Sequence, residues 1–152
     1  MQAFKFSVSV IAALAITSLA ILASGGRALV YIDAASALIA FGVPLALLKA
    51  TWSFRQMGAA FRHALSDTAN KAELEDARLF FRTAFGYLMA TGPMAFLLGV
   101  IAMLTNLADS SRLGPNLAVA LISIFYVLIT GLFVCLPLEA SAKRRLNAIV
   151  EK

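Results

Sequence analysis

Reactive and ionisable side chains are scarce in this 152-residue chain. A single cysteine, Cys135, has no partner for an intrachain bond, which excludes a disulfide framework and a paired-cysteine metal motif. One histidine, His63, is too little to complete a protein-only zinc site with that cysteine. Only 14% of the residues are charged, and between Leu113 and Leu138 there is no Asp, Glu, Lys, Arg or His. No glycine pattern follows a strand signal as a phosphate loop requires, so Gly25-Gly26 and Gly114-Pro115 read as turns. A Ser/His/Asp arrangement would have to recruit His63, and Asp67 four residues on is more simply its helical neighbour. The expectation is a non-enzyme without a cofactor.

Apolar sequence is what the chain has in excess. Hydrophobic residues make up 61%, with a mean hydropathy of +0.87, too apolar for an ordinary soluble domain and indicative of a polytopic membrane protein of one domain, residues 1-152. About 20 residues at 1.5 Å rise match the ~30 Å hydrocarbon core of a bilayer. Four runs fit an all-α fold of four transmembrane helices, about 6-23, 34-48, 85-107 and 115-137. The first also resembles a secretory signal peptide with a cleavage site near Ala23-Ser24, although its length favours a retained helix. In the second, Pro44 removes one backbone hydrogen bond and predicts a kink near Gly42 to Pro44. In the fourth, Gly114 is expected to cap the helix and Pro115 to sit in its first turn.

The segment from about 53 to 83 is different. Met57, Ala60, Phe61, Ala64 and Leu65 recur at helical spacing, predicting an amphipathic helix that continues the second span. Asn70 and Glu73 form a capping-box pattern that should restart a helix running on into the third span. The result is a short helical hairpin whose charges, and whose His63, face solvent.

Two helix faces carry what polarity the spans have. On the third, Thr91, Ala95, Gly99 and Ala102 lie at steps of three or four, a small-residue face suited to close helix packing. On the fourth, Asn116, Ser123, Thr130 and Pro137 recur at spacing seven with Tyr126 on the same side, a stripe that either packs against other helices or lines a wet passage. A short loop, Ala108 to Leu113, makes these two helices an antiparallel pair.

Orientation follows from the basic residues. Arg27 and Arg112 lie on the side of the two short loops, whereas Lys5, Lys49, Arg55, Arg62, Lys71, Arg78, Arg82, Lys143, Arg144, Arg145 and Lys152 share the other, two against eleven. The positive-inside rule places both termini and the hairpin in the cytoplasm. The net charge of +5 is thus a topology signal, and no aromatic residues interleave with it as nucleic-acid binding would need.

Ala118 to Pro137 with the preceding Leu113-Gly114-Pro115 resembles the last membrane helix of the MotA/TolQ/ExbB proton-channel family, its MotA branch in particular. Leu113, Gly114, Pro115, Ala118, Val119, Ala120, Leu121, Tyr126 and Pro137 keep the register of that motif, with Ser123 in place of its first threonine and Phe133 near its aromatic position. YIDAASALIAFGVPLALL, preceded by Gly25-Gly26, resembles the family's second helix, and TGPMAFLLGVIAML its third, with Pro93 and Gly99 at matching spacing. Val100 and Ile124 replace family threonines, and Phe96, Met103 and Val127 replace glycines. The large cytoplasmic domain of MotA has no counterpart.

The resemblance implies a homopentamer in the bacterial inner membrane, surrounding a dimer of a single-span MotB- or ExbD-like protein whose aspartate carries the ion. No span here holds a charge away from its ends, so such a carboxylate must be borrowed. The residues expected to face the ion path or partner are Thr91, Pro93, Ala95, Gly99, Ala102, Asn116, Ser123, Tyr126, Thr130 and Pro137. The expected function is a compact, stator-like subunit of a proton-driven motor. A non-conducting scaffold of the same fold, and a four-helix protein binding lipid or a small apolar ligand, are the alternatives.

Overall fold

The structure is a computed structural model, and it describes residues 2–23, 25, 28–66 and 68–150. Ser24, Gly26 and Arg27 of the expected first turn, and the charges Asp67 and Lys152, lie outside these residues. The described chain is all-α. Helix α1 spans Gln2–Ala23, and after a 3-10 turn at Ala28–Tyr31 comes α2, Ala34–Thr51, then α3, Phe54–Leu65. Helix α4 runs unbroken over Lys71–Leu104. Helix α5, Ser110–Thr130, passes through a π-helical turn at Gly131–Cys135 into α6, Leu136–Val150.

Three of these rods, Ala34–Thr51, Lys71–Leu104 and Ser110–Ile149, are long and apolar enough to cross a membrane, and Val8–Ala23 is a shorter apolar stretch. Their outward faces are apolar too: Leu97, Leu98, Ile101, Leu121, Leu128 and Leu132 are each about half exposed or more. In water so long an apolar face would be unstable, whereas hydrocarbon is its natural surroundings.

Breaks fall where the sequence offers a better partner than the next helical turn. Trp52 is extended, and the Ser53 hydroxyl accepts the Gln56 backbone N–H while the Gln56 side-chain Oε1 accepts the Ser53 backbone N–H. This capping box ends α2 and starts α3 afresh, so the expected continuation of the second span into the amphipathic segment is interrupted there. Asn70 and Glu73 make the second, expected box at the head of α4, with both bonds at 2.9 Å.

The start of α5 differs from expectation. Asp109 is the cap: its carboxylate accepts the N–H and hydroxyl of Ser111 and pairs with Arg112 at 3.1 Å. A carboxylate holding three donors is a stronger initiator than Gly114, so the helix begins earlier and Pro115 lies in its second turn rather than its first.

Pro44 of α2 and Pro137 of the α5–α6 rod share one solution. A proline ring collides with the carbonyl four residues before it. For Pro44 that carbonyl belongs to Ala40, within the π turn Leu38–Gly42, and for Pro137 it belongs to Phe133, within Gly131–Cys135. The wider π turn makes room where a tighter helix would clash. The expected defect at Gly42 to Pro44 therefore takes the form of a π turn one step upstream.

Helix α4 is the spine. It packs along α5 at one end and α6 at the other, and α3 fills the angle between α4 and α6. The core there is aromatic, with Phe61, Phe80 and Phe81 meeting edge to face at centroid distances of 4.9 to 6.1 Å and Trp52 joining Phe80 at 5.7 Å. Phe81, Leu74 and Leu138 are fully buried. Ser141 and Arg145 of α6 donate to the carbonyls of Ala64 and His63 and pin the end of α3. His63 itself is tucked in rather than solvent-facing, its side chain only 20% exposed and its Nε2 3.6 Å from Glu73. Helix α1 meets the remainder chiefly beside the π turn of the α5–α6 rod. Phe81→Ala should cost about 3 to 5 kcal/mol of stability through the cavity it leaves, read from a thermal or denaturant melt of the detergent-solubilised protein.

Candidate functional site at the seam of helices α4 and α5

Small residues bring α4 and α5 into backbone contact. A methyl group placed on Gly99 would come within 2.5 Å of the Ala120 Cβ and 2.9 Å of its Cα, and one on Gly92 within 3.2 Å of a Val127 methyl. At Gly131 the added carbon would meet the Phe85 ring at 3.0 Å. Gly99 faces Ala120 and Gly92 faces Val127, so seven residues down one helix match seven up the other, the mark of an antiparallel pair in steady register. Ala95 and Ser123 fall between these contacts, each buried to 1% exposure or less.

The two hydroxyls buried in this seam, of Thr91 and Ser123, are committed within the chain. Thr91 donates to the Tyr87 carbonyl at 2.7 Å and Ser123 to the Val119 carbonyl at 2.8 Å, each one turn back on its own helix. Val119 accepts a second hydroxyl, from Ser36 of α2, at 3.0 Å. At the far end of α4, the Ala102 carbonyl accepts the side-chain amides of both Asn106, at 2.8 Å, and Asn116, at 3.1 Å. Asn116 thereby closes a helix terminus whose carbonyls have no further turn to bond.

Tyr126 links α5 to the start of α2. Its hydroxyl donates to the Tyr31 carbonyl at 2.6 Å and accepts the Asp33 N–H at 2.9 Å, and its ring stacks on Phe41 at 5.7 Å. Asp33 caps α2 by accepting the Ser36 N–H at 2.6 Å. With the Ser36 hydroxyl given to Val119, it is the hydrogen bond from the Ser36 N–H that holds the Asp33 carboxyl below the usual carboxylate range, against a smaller opposing effect of burial. Among the described residues no buried side-chain nitrogen or oxygen lacks a partner.

The ten residues expected at an ion path or partner face are thus not gathered on one surface. Thr91, Ala95, Gly99 and Ser123 are buried within the chain, and Ala102 and Asn116 are half-buried at the end of α4. Tyr126 turns to α2, and Thr130 is half-buried in an apolar groove of about 260 Å³ with Phe41, Leu48 and Leu88. Pro93 is exposed on the outer face of α4. Pro137 lies against α1, beside Phe6 and Ser9. Its spacing of seven from Thr130 implies a common face only along a regular helix. The π turn between them adds about one residue of phase, a rotation of about 100°.

Sequence reasoning passed over Gly92 and Gly131, though each lies a fixed step from a residue that was singled out: Gly92 seven before Gly99, and Gly131 next to Thr130. It also passed over Ser36 and the Tyr31 carbonyl. Their partners are 83 and 95 residues away in the chain, and no local pattern marks such a pairing.

A sequence model of the MotA/TolQ/ExbB proton channel family matches residues 35–152. The chain belongs to this family. The match takes in α2 to α6, including the α4–α5 seam and both π turns, while Asp33 and α1 lie before it. Family members are channel-type transport and motor subunits rather than enzymes, and the chain is accordingly a membrane protein of that kind. No curated protein matches it significantly over its length.

Two outcomes are expected from the seam. Gly99→Ala should destabilise by about 1 to 3 kcal/mol because backbone atoms of Ala120 must retreat, whereas Gly92→Ala meets only a movable Val127 methyl and should cost less; paired melts of the two variants measure the difference. Asp33, whose carboxyl is lowered in the folded state, adds stability above the ordinary carboxylate range and loses it as pH falls through the folded-state value. The melting-temperature gap between wild type and Asp33→Asn should accordingly shrink on acidification and remain constant above pH ~6.

Proposed function

We propose that the chain is the multi-span subunit of an ion-driven, most simply proton-driven, motor of the bacterial inner membrane. Four helices cross the bilayer with both termini and the α3 region in the cytoplasm. Five copies surround a dimer of a single-span MotB- or ExbD-like protein and couple ion flow to mechanical work. Family membership supports the general role, and the eleven-to-two distribution of basic residues supports the orientation.

The observation that carries the mechanism is the absence of any carboxylate within the apolar spans combined with hydroxyls already bonded to their own helices. An ion crossing beside α4 and α5 needs a titratable group, and a partner's membrane aspartate is the group that fits. In this reading Asn116, Thr130 and exposed Pro93 are the residues the partner meets first. Thr91, Ala95, Gly99 and Ser123 set the spacing of the helix pair, and the hydroxyls of Thr91 and Ser123 reach the passage only when α4 and α5 part. Tyr126 and Pro137 fix how the pair is held to α2 and α1. The driving force is worth about 2.3 kcal/mol per charge per 100 mV.

A non-conducting pentameric scaffold is the second reading. Val100 and Ile124, apolar where the family has threonines, favour it, as does the closed state of the seam.

Proton uptake by liposomes holding this protein and its one-span partner separates the two. A motor subunit should show uptake that disappears when the partner's aspartate is replaced and falls severalfold with Thr130→Val. A stable complex with no uptake above empty liposomes establishes the scaffold.

A further inference from the structure

Between α1 and the α5–α6 rod lie two cavities that share Phe6, Ser9 and Pro137. One, of about 280 Å³, is walled by Val10 and Ala13 on α1 and by Leu132 and Phe133 of the π turn, and its surface is almost wholly apolar. The other, of about 320 Å³, continues it along α6 past Ala140 and Ser141 to Arg144 and Arg145. Together they form one groove, apolar at one end and cationic at the other. Among the described residues, no acidic side chain lines either part.

The two arginines are not equivalent. Arg145 donates to the His63 carbonyl at 3.3 Å and is occupied in holding α3. Arg144 is exposed and has neither an ion pair nor a hydrogen bond among the described residues, so its five donors are available to whatever fills the groove.

We propose that this groove binds an anionic phospholipid, its phosphate on Arg144 and one acyl chain in the apolar part. The dimensions agree. From Leu132 to Arg144 is twelve residues, about 18 Å along a helix, which spans the distance from the interior of one leaflet to the headgroup layer. A free phosphate leaves the apolar half empty. A two-part ligand with an anionic head and a hydrocarbon tail satisfies both ends. Guanidinium and phosphate pair through two parallel hydrogen bonds, and basic pockets between helices at a membrane surface take lipid headgroups by this chemistry. The site does not depend on whether the protein conducts ions.

Native mass spectrometry of the detergent-solubilised protein, titrated with dioleoyl phosphatidylglycerol or dioleoyl phosphatidylcholine, tests the assignment. The anionic lipid should bind at least about fivefold better than the zwitterionic one. Arg144→Gln should bring the two near parity, while Lys143→Gln, one residue away but not lining the groove, should leave the preference intact. Ala13→Trp, which fills the apolar part without touching a charge, should weaken both lipids together. Equal binding of the two lipids by the wild type overturns the proposal. So does an equal effect of the two charge variants, which would mark a diffuse basic surface, and so does displacement of phosphatidylglycerol by glycerol phosphate at the same concentration. Proton uptake is measured separately, so a negative result here leaves the transport reading untouched.

Discussion

The contact on which the rest of the structure depends is the approach of Gly99 to Ala120. With hydrogen in place of a side chain at residue 99, two helix backbones come close enough for dispersion forces to act along their whole length, and in lipid those forces replace the hydrophobic drive that holds water-soluble bundles together. Ala95, Ser123, Gly92 and Val127 then fall into register without further instruction. Once α4 and α5 are fixed, the Ser36 hydroxyl can reach Val119 and the Tyr126 hydroxyl can reach the backbone ahead of α2, which sets the position of the second span. The order of dependence runs from glycine to seam to clasp.

The polar groups follow a single rule. Thr91, Ser123, Ser36 and Tyr126 all donate to main-chain carbonyls rather than to one another, and among the described residues no buried side-chain nitrogen or oxygen lacks a partner. A subunit built this way is electrically quiet along its spans. Its charges lie at the ends, where the headgroups and water are, and the carboxylates of Asp33 and Asp109 are spent as helix caps.

Much of this was readable from the residues because the strongest signals are local. Asn70 with Glu73 gave the head of α4, and uncharged runs gave the three helices long and apolar enough to cross a membrane, because capping geometry and hydrocarbon thickness act within a few turns of chain. The face of α4 was legible for the same reason, small residues at steps of three and four. Where the reading departed from the structure, a second local signal competed with the first. Asp109 with Ser111 started α5 ahead of Gly114-Pro115, and the capping box at Ser53 broke a helix that hydrophobic periodicity alone carries through. Pro137 left the polar stripe because a π turn changed the phase of the helix, and a pattern of sevens holds no notice of that. The clasp at Tyr126 was illegible for a different reason: its partners are backbone atoms of distant residues, and side-chain identity says nothing about them.

The α5–α6 rod has a mechanical meaning as well. Forty residues, Ser110–Ile149, make a shaft about 60 Å long, roughly twice the thickness of the hydrocarbon it crosses, and α4 beside it is nearly as long. Both shafts project toward the basic end of the molecule, where α3 and the aromatic cluster brace them together. By geometry alone, a tilt of about 5° about the seam would carry the far tip, about 40 Å away, sideways by about 3 Å while the helices near Ser123 hardly moved.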